Sequence, residues 1–159
     1  MKRLLWFVVV LALIAAAFVA GTRLATREAV FAASADGAHV AWASDRRCLG
    51  GHCQTLWIGT SRNDGKKVAT LEPASRCDEI VWTRDGRRVA FLVNGAELYF
   101  YDASSLMPAG KITLIQPQGG AVQRLVRGVT FSENGRAITY DECPHGRSGC
   151  RAGFASVPQ

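Results

Sequence analysis

The hydrophobic and polar positions of this chain follow two regimes that meet near residue 30. Leu4 to Gly21 reads LLWFVVVLALIAAAFVAG, with neither charge nor proline. Beyond it come short apolar stretches punctuated by Gly, Pro, Asn, Asp and Ser. Three of these align: FAASADGAHVAWAS at 31–44, IVWTRDGRRVAFLV at 80–93 and VTFSENGRAITYDE at 129–142. Each is an apolar run, an Asp-Gly or Asn-Gly pair, and a second apolar run, which is a strong short-range hairpin signal. The pairs Asp36-Gly37, Asp85-Gly86 and Asn134-Gly135 stand 49 residues apart. Because Asn, Asp and Gly best tolerate positive φ, the pattern predicts type I′ turns there.

A third strand follows each hairpin: TLWIGT around Trp57, ELYFYD around Tyr99 and AGFASV around Phe154. A fourth is expected in the first two copies, KKVATLEP ending at Pro73 and GKITLIQP ending at Pro117. The expected strand count is therefore four, four and three. Several strands are apolar on both faces: in RVAFLV, Val89, Phe91 and Val93 alternate with Ala90 and Leu92. Such strands suit sheets stacked between neighbours rather than a sheet with one wet face. No stretch after residue 30 carries capped helical periodicity. The fold class expected is all-β: three propeller-type blades of antiparallel strands, about 29–73, 79–117 and 127–159, after an N-terminal hydrophobic helix.

IVWTRDGRRVAF resembles the repeat of TolB-type propellers, a WD-repeat-like family with an apolar-aromatic-Ser-Pro-Asp-Gly hairpin and an aromatic third strand. Trp82, Asp85, Gly86, Arg88, Ala90 and Phe91 fall where that pattern wants them. Copies one and three match through Ser34-Ala35-Asp36-Gly37 and Ser132-Glu133-Asn134-Gly135, and all three lack the proline before the turn. The resemblance covers roughly residues 29–157. It implies a propeller and is nearly silent on function, since the repeat serves unrelated proteins. The α/β domain that accompanies the repeat in TolB has no counterpart in the pattern. Three blades fall short of the 4–8 of closed propellers. An open fan, a homodimer completing a six-bladed ring, and a partner supplying further blades are the alternatives.

With Lys2 and Arg3 ahead of it, the apolar run reads as an exported leader over 1–21, followed by a linker at 22–28. It is near the lower length limit for a membrane span and longer than a usual signal-peptide core. An uncleaved signal anchor and a removed signal peptide both place the rest of the chain on the periplasmic or extracellular side. Anchored, it is tethered through the N-terminal helix; cleaved, it is secreted. The formal charge of +6 falls to +4 without the leader, as 17 basic against 13 acidic residues. That is too sparse for a nucleic-acid stripe.

Five cysteines suit an oxidising compartment: Cys48, Cys53, Cys77, Cys143 and Cys150. Cys48 and Cys53 flank the loop between the second and third strands of copy one, and Cys143 and Cys150 flank the same loop of copy three. Disulfides Cys48–Cys53 and Cys143–Cys150 are expected. Cys77, in a linker at the same end, is the leftover thiol or an alternative partner. That end also collects Arg46, Arg47, His52, Arg76, Asp78, Glu79, His145, Arg147 and Arg151, a candidate face for an acidic protein segment, lipid headgroup or anionic glycan. The rival use of the same residues is metal binding by Cys and His, although their spacings match no zinc-finger pattern.

Catalytic signatures are missing from the sequence. It has no G-x-S-x-G elbow, P-loop, Rossmann fingerprint or metalloprotease helix. Neither a catalytic residue, a metal nor a cofactor is assigned. The expectation is a membrane-tethered protein–protein interaction or scaffold module of the cell envelope. The alternative is an enzyme or metal-binding protein using the Cys/His loop face.

Overall fold

The computed structural model describes residues 28–49, 51–115, 124–144 and 149–158. The leader and most of the linker lie outside these residues. Among the described residues there are eleven strands: β1 (Glu28–Ala33), β2 (Val40–Cys48), β3 (Gly51–Gly59), β4 (Lys66–Thr70), β5 (Cys77–Trp82), β6 (Arg88–Val93), β7 (Glu97–Asp102), β8 (Pro108–Thr113), β9 (Arg124–Phe131), β10 (Ala137–Pro144) and β11 (Arg151–Ser156). They form three antiparallel meanders of four, four and three strands, β1-β2-β3-β4, β5-β6-β7-β8 and β9-β10-β11. This is the expected count, and no helix is found among the described residues.

The sheets stack in chain order, and the middle one is buried on both faces. Val89, Phe91 and Val93 of β6 join Ala41, Ala43, Leu56 and Ile58 in a core between the first and second sheets. Ala90 and Leu92, on the alternate phase, join Leu98, Phe100, Val129 and Ile138 in a core between the second and third. Two-residue periodicity explains how one strand feeds two cores. The second sheet is thus the hydrophobic centre of the module. Val157 donates its N–H to the Arg136 carbonyl, which extends the ladder of the third sheet, and the Arg88 guanidinium reaches the Pro158 carbonyl at 3.1 Å, which ties that sheet to the second.

The three predicted hairpins form, but their turns are not type I′. Gly37, Gly86 and Gly135 take positive φ (70°, 66° and 66°), whereas Asp36, Asp85 and Asn134 do not. Each loop is one residue longer on either side and is built by a side-chain clamp. In the second copy the Thr83 hydroxyl donates to the Asp85 carboxylate at 2.7 Å and accepts from the Arg88 N–H at 3.0 Å, while Asp85 accepts from the Arg87 N–H. Ser34 with Asp36 and Ser132 with Asn134 repeat this arrangement. The unit is therefore Ser/Thr-x-Asp/Asn-Gly, with the hydroxyl two residues before the carboxylate or amide supplying the missing backbone bonds. The paired positive φ of a type I′ turn occurs instead at Asn94-Gly95 (53° and 56°), beneath a bond from the Ala96 N–H to the Val93 carbonyl.

The ladders also shift one equivalence. Trp57 stands opposite Trp42, and Tyr99 opposite Phe91. In the third sheet Tyr140 is opposite Gly153, so Phe154 corresponds to Ile58 and Phe100 rather than to the aromatics Trp57 and Tyr99. Phe154 lies on the opposite face from the one its aromatic character suggests.

Candidate functional site at the disulfide-stapled end

The β2–β3 and β10–β11 connections leave from the same end of the stack as the β4–β5 linker. Cys48 is joined to Cys53 and Cys143 to Cys150. Leu49, at the tip of the first connection, is fully exposed at 103%. The equivalent connection of the middle sheet, Asn94 to Ala96, has no such bridge. It is held by packing instead: Gly95 lies so close to Leu125 that a Cβ there would meet its Cδ2 at 2.7 Å, and the Gly95 carbonyl accepts from Val126 N–H.

Cys77 opens β5, is 0% exposed and carries no disulfide. Burial, with Asp78 adding to it, pushes its thiol up to about 12. It is an inert core side chain rather than a reactive one. With four cysteines oxidised, the thiolates needed by the metal alternative are consumed. Among the described residues no three His, Cys, Asp or Glu side chains converge on a metal position.

A cleft of about 390 Å³ opens at this end between the first sheet and the β4–β5 linker, lined by Asp45, His52, Gln54, Ala74, Ser75 and Arg76. Gln54 organises it. Its amide donates to the Asp45 carboxylate at 2.8 Å and its carbonyl accepts from the buried Cys77 N–H at 2.6 Å, which links the first two sheets. Ala74 enters with φ 69° and points its N–H at the His52 carbonyl. Arg76 is fixed at its backbone by two bonds with Asn94.

Placement divides the residues singled out from the sequence. Arg47 and His52 are opposed in the β2–β3 ladder and share the phase of Asp45 and Gln54, on the cleft side. Arg46 is opposed to Cys53 and belongs to the other side of the sheet. Asp78 and Glu79 are structural: Asp78 pairs with Arg76 at 3.3 Å and accepts from the Gly95 N–H, while Glu79 accepts from the Val129 N–H of the third sheet. Arg151 stands opposite Glu142, which pairs with Arg124 at 2.8 Å. His145 and Arg147 lie outside the described residues. Arg46, Arg47 and Arg151 make no ion pair among the described residues, so this end is a basic rim in which two of its acids are already committed. Sequence reasoning missed Asp45 and Gln54. The available signal was phase: Gln54 is a polar residue on the inward register of Leu56 and Ile58.

No protein-family model matches the sequence, and no curated protein matches it. Solved structures do. The uncomplexed acylaminoacyl peptidase of Pyrococcus horikoshii aligns with TM-score 0.51 at 15% identity, covering 73% of this chain and 17% of its own. An acylaminoacyl peptidase in complex with Z-Gly-Gly-Phe-chloromethyl ketone aligns with TM-score 0.51 at 13% identity, covering 77% and 18%. A prolyl endopeptidase aligns with TM-score 0.51 at 12% identity, covering 85% and 21%. The chain spans about a fifth of the length of these structures. At such identities the likeness is one of fold. The β-propeller domains of these hydrolases support a propeller-type architecture for the three sheets; kinship with TolB-type or WD-repeat families is not among the matches found.

Proposed function

We propose that this chain is an exported, membrane-tethered propeller-repeat protein of the cell envelope that binds a protein partner through its disulfide-bearing end. Its leader supplies the tether, and the repeat is of the TolB type. The observation that carries the reading is the cleft beside the Cys48–Cys53 bridge, where His52 and Arg76 stand with Asp45 around a floor made by Gln54 and Arg47 is the ladder partner of His52. A bridged loop holds a binding edge in one conformation, which lowers the ordering cost of association. Two disulfides also fit an oxidising compartment. The basic rim suits an acidic peptide segment, because opposite charge steers encounter and like charge rejects wrong partners. Propeller modules present loops on a stiff scaffold, and loops carry function more often than strands.

The test is fluorescence anisotropy of a labelled Asp/Glu-rich dodecapeptide against the full chain in mild detergent. Saturable binding is expected, weakening with salt and falling at least tenfold in Arg47→Glu, with a Lys-rich peptide inert. Equal binding of both peptides, or no effect of Arg47→Glu, overturns the reading. Digestion of the domain by protease admitted to the envelope of otherwise intact cells is the expected topology result; protection from it refutes export.

A further inference from the structure

The two internal interfaces of the stack are built from the same positions. The face that each sheet turns toward its predecessor is Ile80, Trp82, Val89 and Phe91 in the second sheet, and Val129, Phe131, Ile138 and Tyr140 in the third. Forty-nine residues earlier than the positions of the second sheet stand Phe31, Ala33, Val40 and Trp42 of the first sheet. Phe31, Trp42 and Trp57 are successive partners across β1, β2 and β3, with Trp42 and Trp57 stacked at 6.0 Å. This is a complete predecessor-facing surface. Among the described residues no sheet covers it, and Phe31 is 42% exposed.

The opposite faces follow the same logic. Toward its successor the first sheet turns Ala41, Ala43 and Ile58, and the second turns Ala90, Leu92 and Phe100. The third turns Thr139, Asp141 and Phe154. Ile58 and Phe100 are 0% exposed, whereas Phe154, at the same position, is 68% exposed. The threonine and aspartate keep the face compatible with water, and Phe154 is a large apolar group left exposed on it. Lys67, opposed to Trp57 on the aromatic face, and Arg62, whose guanidinium lies 4.5 Å from the Phe31 ring centroid, complement Asp141 in charge.

We propose that the outer face of the third sheet docks onto the outer face of the first sheet of a second copy, head to tail. Each contact continues the interface already built twice within the chain. Phe154 enters the cluster of Phe31, Ala33, Val40 and Trp42, as Phe100 enters that of Phe131, Ile138 and Val129. Two copies give six sheets, inside the range of closed propellers, and a head-to-tail contact that closes after two copies leaves no sticky end. Rotation about the ring axis also keeps both Glu28 ends on one side of the ring, which suits two chains tethered to one membrane. The contact uses neither the cleft nor the disulfide-bearing end, so it stands apart from the binding role proposed above.

The experiment uses the full chain in mild detergent, with protein mass from light scattering. A 1:1 mixture of unlabelled chains carrying p-benzoylphenylalanine at position 154 and ¹⁵N-labelled wild-type chains is irradiated and mapped by mass spectrometry. A two-chain mass is expected, with cross-links from position 154 to labelled peptides spanning residues 31–57. Phe154→Ala is expected to weaken association by roughly thirtyfold, as for a buried aromatic hot spot, and Phe154→Arg to reduce the mass to one chain. Because Phe154 is exposed, retention of the β-sheet circular dichroism and both disulfides shows that these variants fold. A one-chain mass in the wild type overturns the proposal. So does a two-chain mass that survives Phe154→Arg, which is association through the leader, or cross-linking between the two copies of position 154, which is a face-to-face contact.

Discussion

Gln54 is the side chain on which the cleft and the seam between the first two sheets both depend, and Gln54→Leu separates its chemistry from its shape. Leucine fills nearly the same volume and forms neither bond. The Cys77 N–H, on a residue 0% exposed, then loses its acceptor, at a cost of about 1–3 kcal/mol for an orphaned buried donor. Asp45 is only half-buried and turns to water at little cost. A leucine on this phase gains apolar contact with Leu56 and Ile58, which offsets part of the loss. The expected net destabilisation is about 2 kcal/mol, equivalent to a fall of roughly 4–8 °C in melting midpoint for a chain of this size. Gln54→Glu sharpens the test, since it keeps an acceptor for Cys77 while facing the Asp45 carboxylate. Its folded pKa is raised by that neighbour, so its stability is full below the ordinary carboxylate range and is lost as pH rises. Thermal unfolding of the full chain by far-ultraviolet circular dichroism at pH 4 and pH 7, with disulfides intact, reads both effects. If Gln54→Leu costs less than about 0.5 kcal/mol, the magnitude of a neutral surface change, the backbone at Cys77 is satisfied by some other group and the reasoning fails.

Three further outcomes follow from the same contacts. Phe100→Ala removes a side chain that is 0% exposed between the second and third sheets and is expected to cost about 3–5 kcal/mol by chemical denaturation, while Phe154→Ala, at the equivalent exposed position, leaves the stability of the isolated chain nearly unchanged; equal losses refute the equivalence. The Asp85 and Asp102 carboxylates are held below their ordinary value, Asp85 chiefly by the Thr83 hydroxyl and Asp102, to about 2, chiefly by the Ser105 N–H. Their contribution is present above about pH 4 and is lost as pH falls toward 2, so Asp85→Asn is expected to keep the turn, as Asn134 does in the third copy, and to flatten the acid limb of a pH–stability curve; an unchanged acid limb refutes it. Cys77 is expected to stay unlabelled by maleimide under native conditions and to react as soon as the chain unfolds, and labelling of the native protein at pH 8 contradicts the burial that holds its thiol protonated.

Much of the architecture was legible because each strand signal came with its own punctuation. The Asp-Gly and Asn-Gly pairs located three hairpins, and among the described residues the third sheet has the three strands expected of it. What the pairs concealed was turn chemistry. A dipeptide rule predicts positive φ at two residues, whereas the hydroxyls of Ser34, Thr83 and Ser132 supply enough bonds for one glycine at positive φ to suffice. The dipeptide that does form the paired geometry is Asn94-Gly95, between β6 and β7. Register was the other blind spot. A one-residue offset moves a side chain to the opposite face, and aligning Phe154 with Trp57 and Tyr99 by aromatic character alone put it on the wrong one.

The candidate site was legible only as a region. Loop residues at one end could be gathered from topology, yet which of them face the same space depends on strand phase near the end of β2, where Arg46 and Arg47 part. Acids that read as surface charge turn out to be structural, Asp78 bracing the Asn94-Gly95 turn of its own sheet and Glu79 tying the second sheet to the third, and the residue that shapes the cleft is an amide inside a strand. The same consideration separates the two proposed surfaces. The floor of the cleft is specified by Gln54, whose amide and carbonyl are both committed, so it arrives preorganised, and the proposed occupant is selected by the charge of the rim around it. The end faces are specified by repeat position, so their occupant is another sheet of the same design. Phe100 and Phe154 make the contrast concrete: one register position, two side chains of the same kind, and, among the described residues, a neighbouring sheet against only one of them.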